Sequence, residues 1–131
     1  MEPLDITVQP NASVLIDMPL PDHSDDNAHF RGPSSLLLFA DGNWTISIGE
    51  THNDRRTSTF PEYGPAVAFI IRIDFLTANG SVVFSSEYNC GREGYGGKTY
   101  RKVTTGLDPQ VPARINQFRR MMVYMSIRET D

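Results

Sequence analysis

Asp41-Gly42 and Asn79-Gly80 each stand between runs of residues that alternate in polarity, and no other feature restricts the fold so tightly. A two-residue hairpin loop of type I′ needs φ above zero at both central positions, which Asn, Asp and Gly tolerate best. Reading Asn79-Gly80 as such a loop sets Phe75 opposite Phe84, Ile73 opposite Ser86 and Ile71 opposite Tyr88 on one face. The other face then pairs Asp74 with Ser85 and Arg72 with Glu87, the latter an ion pair across the strands. A slip of one residue would move every one of these side chains to the wrong face. Asp41-Gly42, read in the same way, sets Phe39 opposite Trp44 and Leu37 opposite Ile46, with Thr45 and Ser47 on the reverse face. Trp44, on a face with Phe39, Ile46 and Ile48, is expected in the core. Antiparallel β-sheet follows.

The rest of the chain extends that pattern. Residues 5–9 and 13–18 read as short strands parted by Pro10-Asn11, and the polar, proline-flanked stretch 19–29 reads as an exposed loop. The first hairpin covers 34–50. A second long loop, 51–65, surrounds a short edge strand at 56–60. The second hairpin covers 66–88, a glycine-rich loop runs from Asn89 to Gly97, and a basic strand follows from Lys98 to Thr105. Asp108 is placed to cap a helix with Pro109 at its first position and Val111, Ile115 and Phe118 on one face; Pro112 keeps it short. Met121, Val123, Met125 and Ile127 alternate with Met122, Tyr124, Ser126 and Arg128 in a last strand. The expected fold is all-β: an antiparallel β-sandwich or jelly roll of about eight strands, with a closed β-barrel as the alternative.

At 131 residues the chain is expected to form a single β-sandwich domain over 1–131, large enough to bury about two-thirds of its unfolded surface without a disulfide. Cys90, the sole cysteine, excludes an internal disulfide framework. No basic n-region opens the chain and no apolar run reaches the roughly 18 residues of a membrane span. The expected location is therefore cytoplasmic, or otherwise without a classical signal peptide. The sequons at Asn11, Asn43 and Asn79 carry little weight without an export signal. Acids crowd the first fifty residues (Glu2, Asp5, Asp17, Asp22, Asp25, Asp26, Asp41, Glu50) against Arg31 alone, whereas residues 91–128 are basic. Such a polarity either neutralises itself in the fold or leaves charged faces for a partner or a second copy.

Motifs for nucleophilic, phosphate-loop or zinc-protease chemistry are absent, and no cofactor is expected. A Cys90–His52 dyad is less expected than a plain half-buried thiol at a strand end. His23, Asp25, Asp26 and His29 are metal-ligand types at close spacing, suited to zinc more than calcium, although a solvated acidic loop gives the same composition. The best functional candidate is the segment from Arg92 to Lys102. Its glycines let the backbone approach a ligand, Tyr95 offers a flat face, and Arg92, Lys98 and Arg101 can hold an anion; turn geometry alone would also use these glycines. His52 and Arg55 join the candidates from the neighbouring long loop. Nucleic acid is disfavoured by a pI near 5.3. The expected function is a non-catalytic, lectin-like module binding a glycan or an anionic ligand through its loops. The alternative is a structural or assembly subunit, or an inhibitor-type protein partner, and a small enzyme comes third.

Overall fold

The computed structural model describes residues 3–9, 11–55, 64–96, 98–99 and 101–130. In chain order its elements are β1 (Leu4–Thr7), β2 (Val14–Leu20), β3 (His23–Asp25), β4 (Ala28–Arg31), β5 (Ser34–Phe39), β6 (Asn43–Ile48), β7 (Glu50–Asn53), β8 (Ala66–Leu76), β9 (Val82–Glu93), β10 (Lys98–Thr99), β11 (Lys102–Leu107), α1 (Gln110–Ala113) and β12 (Arg120–Thr130). They form three antiparallel four-stranded sheets, ordered β1-β12-β8-β9, β11-β6-β5-β2 and β10-β7-β4-β3. The second and third sheets list the same chain paths in the same order. Three of these paths bend between them at Pro21-Asp22, at Gly32-Pro33 and at Gly49. Among the described residues twelve strands thus follow eight paths, and the fold is an all-β sandwich of one long sheet against one bent sheet, with no closed barrel among them. No helix among the described residues is long and apolar enough to cross a membrane.

Glycine makes the bend possible. A Cβ on Gly49 would come within 2.9 Å of the Pro33 nitrogen and oxygen, so only hydrogen fits where β6 turns into β7. The core between the layers is one cluster, with Phe30, Leu36, Leu38, Ile46, Phe69, Ile73, Phe75, Phe118 and Met121 all fully buried. Phe75 stacks on Phe84 at 4.2 Å, and Phe118, delivered by the segment after α1, meets both rings edge-on. Met121, Val123, Met125 and Ile127 face this core as their alternation demands.

The second hairpin pairs Phe75 with Phe84, Ile73 with Ser86 and Arg72 with Glu87, as its sequence dictates. The first does not follow the I′ register. Leu38 faces Trp44 and Leu36 faces Ile46, one residue away from the expected pairing. Its loop holds three residues, Ala40-Asp41-Gly42, closed by a hydrogen bond from the Gly42 amide to the Phe39 carbonyl, and only Gly42 has positive φ (93°). That is the three-residue hairpin with a glycine bulge. Leu36 and Leu38 consequently fill the core, while Leu37 and Phe39 lie half-exposed outside it. Trp44 keeps its expected face but sits half-buried at the margin of the core.

Three further segments depart from the sequence reading. The stretch expected as an exposed loop at 19–29 contains the β3–β4 hairpin, turned by Asp26 and Asn27 at φ 46° and 61°. Asx residues tolerate that region well enough to make an I′ turn without glycine. Residues 89–93, expected as loop, continue β9 through a bulge at Gly91, whose φ is 122°. Residues 50–53, expected mostly as loop, form β7. The edge strand expected at 56–60 lies outside the described residues.

The acidic-to-basic polarity is partly cancelled by pairing. Arg120 on β12 grips Asp5 on β1 at 2.6 Å, and Lys102 lies 3.6 Å from Glu93. The pair expected between Arg72 and Glu87 is exchanged: Arg128 takes Glu87 at 2.9 Å, while Arg72 turns to Asp74 and covers the Tyr124 ring.

Candidate functional site

Ser86 and Tyr88 point inward from β9 on a face otherwise made of Phe84 and Cys90. Polar groups in that position need partners. Both find one carboxylate: Ser86 Oγ donates to Asp108 Oδ2 at 2.6 Å and Tyr88 Oη donates to the same oxygen at 2.8 Å. The backbone fixes Asp108 on every side. Its amide donates to the Gly42 carbonyl, its carbonyl accepts from the Val111 amide, and Oδ1 accepts from the Gln110 amide at 3.1 Å. Burial, reinforced by the bond to Asp108, pushes the Tyr88 phenol well above its ordinary value, so it remains a neutral donor.

Trp44 lies beside this network. Its indole covers Gly106, where a Cβ would stand 2.5 Å from Cζ2, and its ring meets Tyr88 at a centroid distance of 4.9 Å. Between Trp44, β9 and the turn entering α1 runs an open groove of about 380 Å³, walled by Ser86, Glu87, Tyr88, Asp108 and Gln110 among others. One aromatic face, the Asp108 carboxylate, an amide and hydroxyls therefore converge on one space. A carboxylate has about four acceptor sites; with three donors already bound, Asp108 can accept one more hydrogen bond.

The residues singled out from sequence fall elsewhere, in separate surroundings. Arg92 is exposed on β9 and donates to Thr130 Oγ1 at 3.0 Å. Tyr95 is half-buried against Gly64, and Lys98 stands opposite His52 in the β10–β7 register. Arg101 is exposed beside Ser35 and Ser47. His52 lies on β7 against His29, ring centroids 5.3 Å apart, with its Nδ1 buried and without a hydrogen-bond partner among the described residues. Arg55 is 6% exposed and occupied: it donates to the carbonyls of Asp25 and Asp26 and to the Asp25 carboxylate, and lies 3.6 Å from Glu129. It braces the β3–β4 turn.

Those same contacts disperse the proposed metal ligands. Asp25 and Asp26 face Arg55, His23 packs on Phe30 with burial lowering its pKa, and His29 lies between His52 and Glu50. Among the described residues no three His, Cys, Asp or Glu side chains gather as a metal would require. Sequence reasoning missed Asp108 as a site residue because it reads as a helix cap. The available signal was Ser86 and Tyr88 on an apolar face, which demand a buried acceptor.

Comparison with family models, with curated proteins and with solved structures finds no match.

Proposed function

We propose that the chain is a non-catalytic, lectin-like binding module that holds a neutral sugar in the Trp44 groove. The observation that carries this reading is the half-buried indole of Trp44, held over Gly106 at the mouth of a groove whose wall is the Asp108 network. A pyranose has an apolar face of C–H bonds and a rim of hydroxyls. The former suits an aromatic plane, and the latter suits fixed carboxylates and amides. Asp108 would accept from a sugar hydroxyl, and charge-assisted bonds of that kind are the stronger ones. A carboxylate on this wall favours a neutral ring over an anionic one, which separates this groove from the basic candidates read in the sequence.

Trp44 is the sole tryptophan, so its fluorescence reports the groove directly. A glycan array followed by fluorescence titration of its best neutral hit tests the reading. The expected result is a saturable change in Trp44 emission, with affinity lowered about tenfold or more in Trp44→Ala and in Asp108→Asn. An array without neutral hits, or binding that leaves Trp44 emission unchanged, refutes it.

A further inference from the structure

The outer face of the β5–β6 hairpin carries Ser35 directly opposite Ser47. Their side chains alternate with the core-facing Leu36, Ile46 and Ile48, so both hydroxyls point away from the core. Arg101 stands next to them, and together with Pro33 and Gly49 they line a depression of about 460 Å³. Its floor is firm. Gly49 presses on Pro33 so closely that a Cβ would overlap, and the Ser34 hydroxyl accepts from the Gly49 amide while donating to the Arg31 carbonyl.

Among the described residues the cation at the rim has no carboxylate partner. Arg55, Arg72, Arg120 and Arg128 each face a carboxylate. No carboxylate among the described residues lies within ion-pair distance of Arg101, and no acid lines the depression. A planar guanidinium beside two hydroxyl donors matches the oxygens of a tetrahedral oxyanion, since arginine presents paired N–H groups in a fixed fork.

We infer that this depression is a second binding site, one for a sulfate or phosphate group held by Arg101, Ser35 and Ser47. It lies on the face of the hairpin opposite Trp44's and does not depend on sugar binding in the groove. The group is either a free ion or an ester carried on a sugar.

Nuclear magnetic resonance titration of the labelled chain, at constant ionic strength in chloride, tests the inference. The probes are sodium sulfate, sodium phosphate, glucose sulfate and unsubstituted glucose. The expected result is saturable shifts of the Arg101 side-chain N–H and the Ser47 and Gly49 amides with at least one oxyanion. Arg101→Gln should weaken that binding about tenfold or more, and Ser35→Ala with Ser47→Ala by several-fold; Arg101→Lys should fall between. Tighter binding of glucose sulfate than of sulfate identifies an ester ligand, and equal binding a free ion. Shifts that never saturate, or that persist unchanged in Arg101→Gln, overturn the site. Arg101 is exposed, so the variant is expected to keep the native spectrum elsewhere, and each outcome is readable whatever happens in the Trp44 groove.

Discussion

The two hairpins carry the same kind of turn, yet one keeps the register its sequence implies and the other slips by one residue. Both loops hold three residues, Ala40-Asp41-Gly42 and Ala78-Asn79-Gly80, and in each the glycine alone adopts positive φ, 93° and 90°. Each loop therefore displaces the pairing by one residue from the two-residue reading. In β8–β9 an extra residue, Val83, bulges between Val82 and Phe84 and restores Phe75 to Phe84. In β5–β6 no bulge follows, and the slip runs to Ser35 and Ser47. A turn dipeptide fixes that a hairpin exists. The register depends on the summed count of extra residues along both strands.

The largest effect that can break this comparison is in the core. Leu38→Ala should cost about 2–5 kcal/mol because Leu38 is fully buried. Leu37→Ala, which the unslipped register would make the damaging change, should cost under about 1 kcal/mol. Chemical denaturation of the two variants decides it, and the reverse order would restore the two-residue turn.

Next in size is the same substitution made in both turns. A Cβ at Gly42 would overlap the Asp108 carbonyl at 2.2 Å, whereas at Gly80 the nearest atom is Arg120 Nη1 at 3.4 Å. Strained φ costs both variants about 1 kcal/mol or more, and overlap adds about 1–3 kcal/mol at Gly42→Ala alone. Melting temperatures that fall equally for Gly42→Ala and Gly80→Ala would show that the Asp108 contact is not as close as described.

A pH series sharpens the contrast further. The core face of β5–β6 carries no titratable side chain, whereas β9 buries Tyr88 and Cys90. Burial pushes the Cys90 thiol from 9.0 up to about 12, and Tyr88 is raised as well. The folded protein retains protons that the unfolded chain releases. Stability is therefore intact below pH ~9 and falls as pH rises toward about 12, by about 1.4 kcal/mol per pH unit for each group titrating. Denaturation midpoints measured from pH 7 to 11 should drop above pH ~9 in the wild type and less in Cys90→Ala; identical curves would contradict the assignment. The smallest effect belongs to Asn79→Ala. With φ negative at Asn79, the change should stay within about 0.5 kcal/mol, and a loss comparable to that of Gly80→Ala would reinstate an I′ turn.

Alternation and turn chemistry made the sandwich legible, because both act over a few residues. The faces of β12 and the inward set of β8 could be read directly from that alternation. Bulges were not legible: Val83 looks like an ordinary strand residue and Gly91 reads as part of a glycine-rich loop, and only the pairing of both strands reveals them. The β3–β4 hairpin was hidden by composition, since acidic and imidazole side chains suggested solvent or metal rather than a sheet braced by Arg55. The groove was the least legible part. Trp44, Tyr88 and Asp108 are far apart in sequence and meet through tertiary contacts alone, whereas the glycine-rich segment drew notice through its local composition.

Arg55 carries a consequence for motion. One guanidinium spans the turn of the β3–β4 hairpin and the end of β12, through the Asp25 and Asp26 carbonyls and through Glu129. An edge strand opens readily by itself, but β3 cannot lift from β4 without withdrawing a buried arginine from its partners. The edge of the small sheet and the end of the last strand are thereby expected to open together, so that amide exchange in the two should rise and fall in step.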